Sequence, residues 1–422
     1  MDAQIRKLGE AGEQGNRKLE DALKRALQKI DEVARQSRDA QEAINNLQEQ
    51  LQKQDNRLSE QAQPTIPTDQ AKALQQSAEQ LKEKPEADYS FEDWNTRAFD
   101  AYFAKQYDDA ALYWKNASDS PNAVAIDKAR ALLNRADALY WLKRYDEIII
   151  TCKQLIDTYS SDNTPAIHEQ VAKAMVKMGF ALRQMEKPDE AIATYKKVID
   201  TYSSDNSPAI RKQVAWAMNN MGFALEKMGK TDEVIATYKK VIDTYSSDNT
   251  PAIREQVAKA MYNMGVALGK MGKSDEKIDT YKKVIGTYSS DSSPAIREQV
   301  ATAMNGMGFV RLMEAKKAWP DRDRALALLR EAQTDLLASL GRWPEYGSAH
   351  GNLAYVLWLL GEQQAAEESF RTGLAATEDG GEELYRGTLD DIAQHPLAED
   401  AGFRAMVEGL WAEYQAKKAG GK

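Results

Sequence analysis

The sequence is poor in the residues that most often carry chemistry. It has one cysteine and three histidines, and no histidine has a second ligand residue at the spacing of a metal site. A single cysteine excludes an internal disulfide framework and fits a reducing compartment. Adjacent Asp-Glu pairs recur, but neighbouring side chains on a helix diverge by about 100°. The sequence therefore predicts a protein that is not an enzyme, with no catalytic residues, metal or cofactor.

Two further absences limit the possible partners. No run of 18 or more apolar residues occurs, and no apolar segment of the signal-peptide type, so we expect no membrane insertion and a cytoplasmic location. The formal net charge is −9, whereas binding of nucleic-acid phosphates needs a basic stripe. We therefore expect protein or peptide partners and no nucleic acid.

Glycine and proline are also scarce, with 24 and 12 residues, while 29% of the residues are charged. Such a composition favours an all-α fold. The segment Thr-Tyr-Ser-Ser-Asp occurs four times, 43 residues apart, with its tyrosines at Tyr159, Tyr202, Tyr245 and Tyr288. Self-similarity at a fixed period of this length is typical of a solenoid, in which each unit contacts only its neighbours.

One repeat unit predicts a helical hairpin. Asn163 and Thr164 offer a polar N-cap, and Pro165 suits the first turn of a helix. The first helix then shows apolar residues at helical spacing, namely Ile167, Val171, Met175, Met178, Leu182 and Met185. Asp189 and Glu190 open a second helix, where carboxylates suit the positive end of the helix dipole.

The unit resembles a tetratricopeptide repeat (TPR). The match consists of Met178-Gly179 and Leu182 in the first helix, then Ala191, Tyr195 and Val198 in the second. The family repeat has about 34 residues, and we assign the surplus here to extra turns at the start of each first helix. The resemblance implies a right-handed α-solenoid of about seven hairpins. We divide the chain into a coiled-coil helix (1–62), a linker with a short helix (63–90), the TPR solenoid (91–378) and C-terminal capping helices (379–422).

The first 62 residues show a heptad rhythm, which indicates a coiled coil that joins copies of the chain. The alternative is a single amphipathic helix that folds back on the repeats. The residues predicted to mediate oligomerisation are Leu19, Leu23, Ile30, Val33, Ile44, Leu47, Leu51 and Leu58.

Comparison of the copies predicts a binding groove. The core stripe is nearly invariant, whereas positions on one face of each first helix differ between copies. In the TPR family that face lines the concave groove that holds peptides or helices. The alternative is drift of exposed positions after duplication. The predicted partner-binding residues are Lys173, Val176, Phe180, Arg183, Trp216, Asn219, Phe223, Glu226, Lys227, Lys259, Tyr262, Val266, Lys270, Thr302, Asn305 and Phe309.

These features lead to three functional hypotheses. The first is an interaction scaffold or adaptor that binds a peptide or helix of a partner and is multivalent through the coiled coil. The second is a regulatory sensor or inhibitor subunit that holds a toxin, nuclease or protease inactive. The third is a structural protein that assembles end to end.

Overall fold

The computed structural model describes residues 24–25, 28–29, 31–51 and 65–420. These residues form an all-α fold, as the composition predicts. Outside the helices, the described part of the chain has one isolated β-bridge, between Tyr346 and Glu378.

The helices of the repeat region follow one another in seven pairs. A helix that includes residues 31–51 (α1) comes first, followed by α2 (Thr68–Leu81) and a short 3₁₀ helix (Glu86–Asp88). The pairs are α3 (Phe91–Phe103) and α4 (Tyr107–Asp119); α5 (Ala125–Trp141) and α6 (Tyr145–Tyr159); α7 (Pro165–Gln184) and α8 (Pro188–Tyr202); α9 (Pro208–Lys227) and α10 (Thr231–Tyr245); α11 (Pro251–Lys270) and α12 (Ser274–Tyr288); α13 (Pro294–Lys317) and α14 (Arg322–Arg342); α15 (Gly347–Leu359) and α16 (Gln363–Ala375). Two further helices are α17 (Gly381–Ala393) and α18 (Asp400–Gly420).

The chain divides into two compact units, and the point of division falls within the sequence of α8. Unit 1 extends to Thr194 and unit 2 begins at Tyr195. In unit 1, helices α3 to α7 pack in chain order, and the first helices α5 and α7 also touch each other. Unit 2 repeats this pattern from α9 to α16, with contacts between successive first helices. The predicted fold of stacked helical hairpins is thus confirmed within each unit, whereas the predicted domain boundaries stay predictions.

The start of each long first helix differs from the prediction in one detail. Helices α7, α9, α11 and α13 begin at proline, but the residue before the proline makes no side-chain capping bond. The predicted side-chain N-cap is therefore wrong. The repeated aspartate supplies the contact instead: Asp248 Oδ1 accepts a hydrogen bond of 2.7 Å from the backbone N–H of Thr250. The same carboxylate pairs with Arg211 of the preceding first helix. One repeat later, Arg254 Nη2 lies 3.0 Å from Asp291 Oδ2.

The glycine of the repeat motif makes room for a tyrosine of the second helix. A Cβ atom on Gly222 would lie 2.5 Å from Cζ of Tyr238, which is fully buried. Gly265 has the same relation to Tyr281. The only cysteine, Cys152, is buried in α6 with 1% of its surface exposed.

Candidate functional site

The first helices of unit 1 form a surface that already carries a helix. We define the unit-1 face as the surface of α3, α5 and α7 that includes Asn95, Arg130, Asn134, Gln170 and Lys173. Helix α1 lies on this face, since its residues line two spaces together with those of α3, α5 and α7. The buried side of α1 is a continuous helical stripe of Ala40, Ala43, Ile44, Leu47 and Leu51.

A reciprocal amide pair fixes the position of α1. Gln48 Nε2 donates to Asn134 Oδ1 over 3.2 Å, and Asn134 Nδ2 donates back to Gln48 Oε1 over 2.9 Å. Helix α2 adds a second contact, because Asn46 Nδ2 donates to Gln70 Oε1 over 2.8 Å. Two amides that satisfy each other remove the cost of burying either one. The bonds therefore specify both the register and the orientation of α1.

The predicted groove residue Lys173 lies beneath α1. It lines a cavity of about 10 Å³ together with Gln48, Leu51, Asn134 and Gln170, so the space left there is about that of one water molecule. Its ammonium group pairs with Glu169 over 2.8 Å. Lys173 is only 3% exposed. The structure thus brings a predicted partner-binding residue and a predicted oligomerisation residue, Leu51, to the same place.

Below Lys173 the unit-1 face contains a buried ion pair that the sequence pattern did not reveal. Lys177 Nζ lies 2.5 Å from Asp137 Oδ1, and both side chains are largely buried. Lys177 belongs to the same stretch of α7 as the predicted residues, but its partner lies one repeat earlier. A pair of charges that far apart in the sequence has no local pattern, so sequence reasoning missed it.

The other predicted residues of α7 form part of the packing. Val176 and Phe180 are buried, with Phe180 against the ring of Tyr140 at 5.6 Å between centroids. Arg183 is half-buried and places its guanidinium over Phe180 at 5.1 Å. These residues stabilise the repeat in this structure. Their role in partner binding stays a prediction.

The first helices of unit 2 form the second candidate surface. We define the unit-2 face as the surface of α9, α11 and α13 that carries the predicted residues from Trp216 to Phe309. Trp216 and Asn219 are buried on it. Asn219 Nδ2 donates to both the side-chain and the backbone oxygen of Gln256, each over 3.0 Å. This amide contact holds α9 to α11.

The accessible part of the unit-2 face lies at the ends of α9 and α11. Phe223 is 38% exposed, the highest value among the predicted aromatic residues. Glu226 forms an ion pair with Lys270 of the next first helix. Lys227 and Lys270 are exposed, and Val266 is half-buried. This end of the face thus exposes one aromatic ring and one ion pair between successive first helices. The role of these residues in partner binding stays a prediction.

Toward α13 the unit-2 face becomes a polar seam. Tyr262 stacks on Tyr281 at 5.4 Å between ring centroids, and burial raises the pKa of Tyr262 to about 12. Asn305 donates to the hydroxyl of Tyr346 over 3.3 Å and accepts from Asn352 over 2.8 Å. The remaining predicted residues are half-buried: Lys259, paired with Glu255 at 2.9 Å; Thr302, which donates to the carbonyl of Glu298; and Phe309, which packs against the C-terminal core.

The residues predicted to mediate oligomerisation fall into three groups: exposed, buried and outside the described residues. Val33 is 56% exposed, whereas Ile44, Leu47 and Leu51 are buried within the one chain. Leu19, Leu23, Ile30 and Leu58 lie outside the described residues. Among the described residues of the heptad stripe, contacts within the chain thus bury three and leave Val33 exposed.

A buried lysine near the C-terminal end was also missed. The Lys316 ammonium lies 2.5 Å from the Tyr355 hydroxyl and 3.4 Å from Asp400 Oδ2, and it donates to the backbone carbonyls of Asp391 and Ile392. Burial lowers the pKa of Lys316, while Asp400 opposes this shift. The network ties α13 to the ends of α17 and α18. A lysine at the end of a helix is normally exposed, so no local pattern predicts the burial of Lys316.

Nothing in the described part of the chain groups three or more histidine, cysteine, aspartate or glutamate residues into a metal site. None of the described helices is both long and apolar enough to cross a membrane.

Family models for tetratricopeptide repeats match residues 130–162, 170–247, 259–291 and 321–380. No curated protein is similar in sequence to this chain.

Among solved structures, the apo form of RapI is 12% identical and covers 71% of this chain and 98% of its own, with a TM-score of 0.43. A TPR protein from Parabacteroides merdae is 11% identical over 75% and 99%, with a TM-score of 0.43. MamA from Desulfovibrio magneticus is 15% identical over 49% and 94%, with a TM-score of 0.32. On the repeat matches and the stacked hairpins within each unit, the chain is a tetratricopeptide repeat protein.

Proposed function

We propose that this chain is an adaptor that binds an α-helix of a partner protein on the first helices of its repeats. One observation supports the proposal above all: the unit-1 face already holds a helix, α1. This helix is bound through small and aliphatic side chains and one reciprocal amide pair. Helix-in-groove recognition uses the same i, i+3, i+4 and i+7 anchors. The unit-2 face offers the same architecture for a helix from another protein.

The chemistry of the unit-2 face specifies the kind of helix. Phe223 supplies an exposed aromatic anchor near the end of α9, where Lys227 is exposed and Glu226 pairs with the exposed Lys270 of α11. Aromatic anchors carry much of the energy of an interface, while charges at the rim steer the encounter. The preferred partner is therefore an amphipathic helix with an apolar stripe and acidic residues at its border.

A displayed library of amphipathic helical peptides tests this proposal with the full chain as bait. Phe223→Asp should weaken the selected peptides by roughly tenfold or more, as expected for an anchor residue. Leu337→Asp is the matched control, because Leu337 is 53% exposed in the same unit but lies on α14, a second helix. Equal loss in both variants, or none in either, would contradict the proposed site.

The position of α1 also favours a second function, that of a regulatory sensor. A face that is covered by the chain's own helix cannot bind a partner helix at the same time. Binding there would depend on release of α1, as the sensor hypothesis requires. Self-association through the heptad stripe, and with it multivalency, is a separate proposal that needs Ile44, Leu47 and Leu51 to leave their present contacts.

A further inference from the structure

We propose that α1 is an internal ligand of the unit-1 face, and that this face accepts an external helix only when α1 is displaced. The inference rests on the proposed function, since it identifies the type of helix that these repeats bind. Its partner is defined by the stripe of α1 itself: small residues, then Ile, Leu and Leu at helical spacing, with a glutamine that meets Asn134.

The burial pattern of α1 is that of an amphipathic helix docked on a surface. Ala43 and Leu47 are fully buried, and Ala40, Ile44 and Leu51 are nearly so. Residues on the opposite side of α1, such as Glu42 and Glu49, are exposed. One face of the helix therefore supplies the apolar contact with the repeats, while the other remains in solvent.

The packing of α1 against the unit-1 face is close near Leu51 and open near Ile44. Near Leu51 the space left is about 10 Å³, whereas near Ile44 a cleft of about 230 Å³ lies between α1 and the residues Phe91, Asn95 and Arg130. A competing helix with a larger side chain at the position of Ile44 would fill this cleft. Such a helix would bury more apolar surface than α1 does and would gain affinity accordingly.

The tether between α1 and the repeats lowers the apparent affinity of the unit-1 face for a free helix. A tethered helix acts at an effective concentration in the millimolar range, so a free copy of the same helix binds the native chain far more weakly than it binds a chain whose α1 is released. The probe is a fluorescent synthetic peptide of residues 31–51, titrated with the full chain and followed by anisotropy.

Leu47→Asp in the full chain should release α1, because it places a carboxylate in a fully buried position. We expect the peptide to bind this variant at least roughly tenfold more tightly than the native chain. Val33→Asp is the matched control, since Val33 shares the heptad stripe but is exposed, and it should leave the affinity at the native value. Equal affinity for the native and Leu47→Asp chains would overturn the proposal.

A second experiment keeps the result independent of the folding of that variant. Gln48→Cys with Asn134→Cys, joined by a short cross-linker, locks α1 in place; native Cys152 is buried and does not compete. Before cross-linking, the double variant lacks the amide pair and should bind the peptide more tightly than the native chain does; the cross-linked chain should lose this binding. Equal binding before and after cross-linking would overturn the proposal. In a mixture of isotopically heavy and light chains, the cross-link should join residues of one chain. Products that contain one heavy and one light chain would show instead that the unit-1 face holds the helix of a second copy. Failure of either test leaves the peptide selection on the unit-2 face unaffected, so the two proposals are judged separately.

Discussion

Leu51 and Lys173 line the same small cavity, although the sequence pattern predicts them in two different interfaces. Leu51 belongs to the heptad stripe and Lys173 to the variable face of a first helix, and both are 3% exposed. The contact means that the two predicted surfaces are complementary to each other within unit 1. In this structure the apolar stripe of α1 is therefore placed against a first-helix face of its own chain.

The first prediction concerns the amide pair that holds α1. Asn134→Ala leaves Gln48 without its partner at a largely buried site, which costs about 1–3 kcal/mol. Since the lost contact is specific to α1, the amide protons of residues 31–51 should exchange faster, while those of α5 keep most of their protection. Hydrogen exchange followed by mass spectrometry measures this. Asn163→Ala, at an exposed loop position, is the control. Unchanged exchange in residues 31–51 would show that the pair does not hold the helix.

The helices and their pairing could be predicted from the sequence because the signals are local. Apolar spacing, proline at a helix start and a recurring glycine each act within a few residues, as at Pro208 and Gly222. The occupant of the unit-1 face could not be predicted, since Gln48 and Asn134 are 86 residues apart and neither is unusual alone. The burial of Trp216 and Asn219 could not be predicted either, because variation between copies is the usual sign of an exposed position.

The second prediction concerns two glycines with opposite roles. Gly229 joins α9 to α10 at a φ of +69°, with nothing near the place of a Cβ atom. Gly229→Ala should therefore destabilise the protein by about 1 kcal/mol through the backbone alone. Gly286 lies inside α12, again with open space around it, so Gly286→Ala should stabilise by about 0.5–1 kcal/mol. Urea denaturation compares the two variants, and shifts of the same sign would refute this account.

The third prediction concerns pH and Asp391. Burial raises the pKa of Asp391 to about 7, against the opposing effect of the Lys316 ammonium. Because the folded-state pKa lies above the unfolded value, the stabilising contribution is fully present below about pH 4 and is lost as the pH rises through 7.

Asp391→Asn should therefore raise the free energy of unfolding at pH 8 by about 1–3 kcal/mol, since one pKa unit corresponds to about 1.4 kcal/mol. At pH 4.5 the effect should be small. Urea titrations at the two pH values measure the difference, and Asp390→Asn, at the exposed neighbouring position, is the control. A gain of equal size at both pH values would contradict the assigned pKa.

The fourth prediction separates binding from stability on the unit-2 face. Lys270→Glu breaks the pair with Glu226, but Lys270 is 62% exposed, so the stability should change by no more than about 1 kcal/mol. Binding of an acidic-bordered helix should weaken, and the loss should shrink as salt is added, since rim charges act through screened electrostatics. Lys239→Glu, an exposed position on the second helix α10, should leave binding unchanged. Equal effects of the two reversals would place the partner elsewhere.

The last prediction concerns the mass in solution, where two uses of the same residues compete. If Ile44, Leu47 and Leu51 bind the unit-1 face of their own chain, they are not available to a coiled coil. Light scattering should then give 47.2 kDa for the full chain. Leu47→Asp should leave this mass unchanged, because it damages the coiled-coil stripe as well as the intrachain contact. A mass that is a multiple of 47.2 kDa, and that falls in both Leu47→Asp and Val33→Asp, would instead assign the heptad stripe to self-association. Loss of the multimer in Leu47→Asp alone would point to exchange of α1 between copies, since Val33 is exposed and is not among the buried residues of α1.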